Sequence, residues 1–185
     1  MSQAYLPLSY SREILTTIFE LLFCIQDRNE NLIQLVNELM LQYPEVESQI
    51  FIGAKDIVVN PKVNNMLNGY DKAQYPLLMI SDSSIKMKPH TLTDMVSHMT
   101  EKVGLVHQVP IMCDGDLSFC RQVEQVWFGG AHARIYLFAN AFGFNCMTSM
   151  SCVFRKKILD EEGGLVSMGN YLGEDFFLTQ LIINK

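Results

Sequence analysis

Apolar residues run together in "ELLFCIQ" (20–26) and stop at the polar cluster Asp27, Arg28, Asn29 and Glu30, which predicts a buried strand ending in a carboxylate. The spacing then changes. In "NLIQLVNELMLQY" (31–43), Leu32, Leu35, Val36, Leu39, Met40 and Tyr43 recur at helical intervals, with Asn29 or Asn31 placed to cap the helix and Pro44 to close it. "SQIFIG" (48–53) reads as a short strand, and "NPKVNNMLNGYDKA" (60–73) as a helix with Pro61 in its first turn. "YPLLMIS" (75–81) is a third strand, followed at once by Asp82. "TLTDMVSHMTEKV" (91–103) predicts a helix with Thr91 and Asp94 as a capping box, and "GLVHQVP" (104–110) a strand.

From Asp116 to Ala141 the pattern is helical and rich in aromatic residues, with a kink or break expected at Gly129 and Gly130. "NCMTSMSCVF" (145–154) predicts a strand, and "RKKILDEEGG" (155–164) a short helix stopped by its glycines. "GEDFFLTQLIINK" (173–185) is a last helix carrying Glu174 and Asp175 in its first turn. Strands alternating with helices predict an α/β fold, a mostly parallel sheet with helices on both faces. Ligands of such sheets bind beyond the carboxyl ends of the strands, where Asp27 and Asp82 fall.

Composition and charge narrow the possibilities. The 185 residues suit one domain, and 49% apolar against 18% charged residues is a globular balance. A net charge of -6 with scattered basic residues excludes a nucleic-acid face. Five cysteines without a C-x-x-C pair suggest neither a disulfide framework nor a zinc site. The apolar stretch 14–25 is too short to span a bilayer and contains Glu20, and no signal-peptide pattern opens the chain.

Carboxylates gathered at one sheet edge can hold a divalent cation, hydrogen-bond a sugar or base, or accept a proton from an attacking hydroxyl. An Asp at a strand end serves equally well as a turn former or N-cap, and Glu174 and Asp175 as charges favourable to a helix N-terminus. The P-loop, the G-x-G-x-x-G fingerprint and the G-x-S-x-G elbow are absent, and His90, His98, His107 and His132 are too dispersed for a local metal motif. His132 and Arg134 beside the Gly-Gly pair are candidates for a ligand contact or a packing role. The series Trp127, Phe128, Tyr136, Phe138, Phe142 and Phe144 is expected in the core.

From Phe19 onward the segments "CIQDRNE", "FIGAKDIVVNPKVNNMLNGYDKAQYPLLMISDSSIKM", "TLTDMVSHMTEKVGLVHQVP", "EQVWFGGAHARIYLFANAFGFNCMTSMSCVFRKKILDEEGGL" and "YLGEDFF" resemble, in order, the ceramide glucosyltransferases, a GT-A family. The resemblance implies an incomplete GT-A (Rossmann-like) catalytic region over 19–185 after a divergent segment 1–18. It also implies inverting transfer of glucose from UDP-glucose to the primary hydroxyl of ceramide. By the same resemblance Asp27 contacts the uracil and ribose, and Asp82 the diphosphate with its Mg²⁺ or Mn²⁺. Lys62 supplies a second positive charge there, His132 contacts donor or acceptor, and Asp175 is the general base.

The sequence departs from that pattern in places. Ala133 stands where the family has Pro in an H-P-R segment, and Ser84 stands at the second acid of D-x-D. The family's N-terminal anchor and first strand, its Q-x-x-R-W motif and its C-terminal apolar segments have no counterpart in these 185 residues. The family implies membrane contact at the cytosolic face of the Golgi; for this chain alone the expectation is cytoplasmic. Two further expectations stand beside activity: a truncated fragment or pseudoenzyme that only binds a nucleotide-sugar or a partner, and a transferase for another lipid or polysaccharide acceptor.

Overall fold

A computed structural model describes residues 19–112 and 118–185. The divergent segment 1–18, Cys113 and the predicted helix start at Asp116 lie outside the described residues. The chain is α/β, as expected. Strand β1 (Glu20–Ile25) leads through helix α1 (Glu30–Gln42) to β2 (Glu47–Ile52), and the two strands pair in parallel with Glu20 opposite Glu47. Asn29 caps α1, its Oδ1 accepting from the Leu32 amide at 3.2 Å. Helix α2 (Pro61–Lys72) then precedes β3 (Leu77–Ser81), short helix α3 (Thr91–Ser97) and β4 (Leu105–His107). After α4 (Phe119–Val126) and α5 (His132–Ala141) come β5 (Ser151–Arg155), α6 (Lys156–Glu161) and α7 (Glu174–Ile183).

The second sheet has the order β3-β5-β4. Strand β5 runs antiparallel to both neighbours, so β3 and β4 share a direction and only β1–β2 form a parallel ladder. This departs from a mostly parallel sheet.

The core lies between this sheet and α2, α6 and α7. Val63 and Leu67 of α2, Cys152 and Phe154 of β5, Leu159 and Leu178 form one buried cluster. Each such side chain contributes about 1.5–3 kcal/mol through the apolar surface it removes from water. The Cys152 thiol, pushed up to about 12 by burial, behaves as an inert apolar group. Cys120, Cys146 and Cys152 are free thiols. Helix α6 stops where Gly163 (φ 93°) and Gly164 (φ 73°) take left-handed conformations.

Three local expectations are corrected. Thr91 does not cap α3: His90 holds the cap position in a left-handed conformation (φ 67°) without a side-chain cap bond. The helix also ends at Ser97 rather than Val103, because the Arg155 guanidinium takes the carbonyls of Met99, Thr100 and Val103. Strand β5 starts at Ser151, six residues later than expected, since the preceding stretch turns away from the ladder. The Gln180 amide binds the Asn145 carbonyl and the Lys62 ammonium binds the Ser149 hydroxyl.

At Gly129 and Gly130 there is no break. Trp127–Ala131 form a π turn that joins α4 to α5 in a continuous helical run. Nor is the aromatic series core. Trp127, Phe138, Phe142 and Phe144 are 51%, 67%, 66% and 72% exposed, and only Phe128 and Tyr136 of the series are half-buried. Aromatic content signals burial only when a surface is available to cover it, and among the described residues this run packs along one edge.

Gly169 joins the fold to the site. Its carbonyl accepts from the Asn60 amide at 2.8 Å, and a Cβ there would stand 2.3 Å from the Val58 Cβ. Gly169→Ala is therefore expected to destabilise the chain by about 1–3 kcal/mol through overpacking. Urea denaturation should show a lower midpoint at unchanged slope; an unchanged midpoint would mean that Val58 moves aside freely.

Candidate functional site

Asp27 follows β1 and Asp82 follows β3, and together with Lys62 they line one cavity of about 570 Å³. Its walls come from the facing edges of the two sheets, Cys24 and Ile25 on one side, Met79 and Ile80 on the other. The α/β pattern thus delivers both strand-end carboxylates to the same space. Asp27 is exposed, and its backbone carbonyl closes a turn with the Asn29 amide at 2.7 Å.

Lys62 sits at the centre of the polar cluster. Its Nζ lies 3.1 Å from Asp82 Oδ1, 3.3 Å from Glu174 Oε1 and 2.8 Å from Ser149 Oγ. Ser149 in turn donates to Glu174 at 3.2 Å. Glu174 is the most enclosed of the charged groups, its side chain 12% exposed against 32% for Lys62 and 31% for Asp82. Burial works against the Lys62 charge, but the carboxylates of Asp82 and Glu174 outweigh it and hold the ammonium above the ordinary lysine value.

Asn60 makes this arrangement possible. Buried at the N-cap of α2, its Oδ1 accepts from the Lys62 and Val63 amides. Its Nδ2 donates to the Tyr171 carbonyl at 2.8 Å and to Glu174 Oε2 at 3.0 Å. One side chain therefore caps one helix and ties it to the start of another more than a hundred residues later. The loop before it is fixed by Asn64, whose Oδ1 accepts from the amides of Ile57 and Val58.

Asp175 turns the other way. Its Oδ1 accepts from the Phe176 amide at 2.9 Å, and its charge is felt by Tyr136, Cys146 and Cys152 rather than by Lys62. The Tyr136 hydroxyl lies 2.8 Å from His132 Nε2 and its ring meets His107 edge-on at 5.1 Å. Burial raises the Tyr136 phenol and, with Cys146 and Asp175, outweighs a hydrogen bond to Thr148. Burial likewise lowers His107, leaving a neutral imidazole at pH 7. The structure thus brings Asp27, Lys62 and Asp82 to one cavity, and places Asp175 and His132 on a second side around Tyr136.

Sequence reasoning missed Asn60 as an anchor and Ser149 altogether. The Asn-Pro pair at 60–61 is a legible N-cap signal, but its second amide contact is long-range; Ser149 carries no local signal. Among the described residues no group of three or more His, Cys, Asp or Glu side chains is placed to hold a metal. Asp82 is one monodentate oxygen donor open to the cavity, which fits a hard cation only if a ligand oxygen completes its coordination.

Comparison with known proteins identifies the family of the chain. The profile of glycosyl transferase family 21 matches residues 13–185. Ceramide glucosyltransferases 3 and 1 of Caenorhabditis elegans are each 40% identical over 169 residues, covering 90% of this chain and 37% and 36% of those proteins. A ceramide glucosyltransferase of Komagataella phaffii is 24% identical over 164 residues, covering 77% of the chain and 32% of that protein. The chain spans about a third of the length of these relatives. No solved structure matches it.

Lys62→Met is expected to cost about 1–3 kcal/mol at pH 7, the buried-pair figure discounted for partial exposure. In the wild type the folded-state value of Lys62 is raised, so its contribution is complete below about pH 10 and is lost as pH rises through that raised value. Denaturation of both proteins at pH 7 checks the cost; an unchanged midpoint in the variant would dissolve the proposed three-group coupling.

Proposed function

Because the chain belongs to glycosyl transferase family 21, we propose that it carries the donor-binding and catalytic part of a ceramide glucosyltransferase, moving glucose from UDP-glucose to the primary hydroxyl of ceramide with inversion. The single observation that supports this most is the division of carboxylates. Asp27 and Asp82 share a cavity with Lys62, and Asp175, next to Glu174 in the chain, faces a separate side.

In this reading the uridine enters the cavity beside Asp27, whose carboxylate accepts from uracil or ribose donors. The diphosphate then lies at Asp82 and Lys62. Asp82 and Glu174 flank the single Lys62 ammonium and Asp27 lines the same cavity, so an approaching diphosphate meets a net negative field. A Mg²⁺ or Mn²⁺ ion bound through Asp82 would offset that field and stabilise the charge on the departing UDP.

The ceramide oxygen attacks the anomeric carbon from the face opposite the diphosphate, the bond from that carbon to the phosphate oxygen breaks, and one displacement inverts the centre. Asp175 accepts the hydroxyl proton. Lys62 holds its positive charge toward the leaving diphosphate, and Glu174, Ser149 and Asn60 keep its ammonium in place. His132 fixes the Tyr136 hydroxyl on the side from which the acceptor comes.

Titration calorimetry with UDP-glucose in MgCl₂ should show binding that chelation abolishes and that Asp82→Ala weakens at least tenfold. Asp175→Asn should leave that binding within about twofold and lower glucosylceramide formation by about 10²–10⁴. Absence of any heat with the wild-type chain would overturn the donor assignment, and normal turnover in Asp175→Asn the assignment of the base.

A further inference from the structure

The helical run Phe119–Ala141 has two unlike faces. Phe128, His132 and Tyr136 turn inward, toward His107 and the Asp175 side of the site. Outward stand Phe119, Val123, Val126, Trp127, Phe138 and Phe142, between 51% and 80% exposed. From Phe119 to Trp127 the spacing of these residues is i, i+4, i+7, i+8, one helical stripe. The π turn sets α5 back by part of a turn, so that Phe138 and Phe142 continue the same stripe instead of drifting behind it.

We propose that this face is a lipid-docking surface that lies in the interface of a bilayer and holds the Asp175 side of the site against it. The inference rests on the acceptor reading above and goes beyond it. A ceramide keeps its chains in the bilayer and offers its hydroxyl at the boundary, so the base must meet it there. The helix that borders Asp175 inwardly is the one that is apolar outwardly. Leu172 and Phe176, which flank Asp175, are also exposed, at 84% and 49%.

The chemistry fits lying on the membrane. Among the described residues no helix is long and apolar enough to cross a bilayer, and Arg121, Glu124, His132 and Arg134 interrupt this one. An interfacial helix buries its apolar face about 5–10 Å into the headgroup boundary, the depth of a sphingolipid hydroxyl. The charge of the chain is -6, so attraction to anionic lipid does not drive the docking. Insertion of the aromatic stripe does.

The chain carries its own probe, since Trp127 is its one tryptophan and lies in the stripe. Adding phosphatidylcholine vesicles to the full chain should move Trp127 emission to shorter wavelength, with quenching by brominated acyl chains and little change in 0.5 M salt, where the screening length is roughly half its value at 0.15 M. Phe138→Glu with Phe142→Glu should lower vesicle partitioning at least tenfold while leaving the urea midpoint in place, because both residues are exposed.

Unchanged emission with vesicles would overturn the proposal, as would binding that requires anionic lipid and disappears in salt. So would emission already shifted without lipid and changing with protein dilution, which would mean that a second copy covers the face. Titrating UDP-glucose into the same samples separates the two readings. Donor binding without insertion removes only the docking surface, and insertion without donor binding removes only the donor reading.

Discussion

A largely buried carboxylate must be partnered, and Glu174 is partnered from three directions: the Lys62 ammonium, the Ser149 hydroxyl and the Asn60 amide. These three groups come from two distant segments, and satisfying Glu174 brings the start of α2, the start of α7 and the stretch before β5 to one point. The cavity between β1 and β3 opens at that point, so the geometry of Asp82 depends on the same contacts. Because Lys62 is shared by two carboxylates, neither can be altered without changing the position of the cation beside the other.

The elements that were legible in the sequence are those whose signals are local. The start of α2 was readable from Asn60 and Pro61, that of α1 from Asn29, and the end of α6 from Gly163 and Gly164, since each signal acts on backbone groups within four residues. The misread elements were decided at long range. Helix α3 is cut short by Arg155, some fifty-five residues further on, and nothing in the 91–103 pattern encodes that guanidinium. Strand β5 is antiparallel because of its place between β3 and β4, which its own hydrophobic run does not specify.

The site was legible as a set of residue types at strand ends and unreadable as a network. Position at the end of a strand carries both Asp27 and Asp82 to one cavity. Lys62 by itself reads as a solvated helix residue; only its pairing with Asp82 and Glu174 gives it another role. The aromatic series failed for the opposite reason. Hydrophobic content was taken to imply burial, whereas apolar atoms also make up surfaces that meet something other than water.

Glu174 and Asp175 show how neighbouring residues acquire different tasks. Successive positions on a helix diverge by about 100°, so two acids in the first turn of α7 cannot serve the same pocket. Glu174 faces Lys62, and its charge is spent on fixing a cation; the charge of Asp175 acts instead on Tyr136 and Cys146. A carboxylate locked in an ion pair is a poor base, because protonating it would forfeit the pair. In the proposed mechanism the angular step of the helix separates an electrostatic role from a proton-accepting one. In that proposal the acceptor comes across Tyr136 and His132, past the helix whose outer face is apolar.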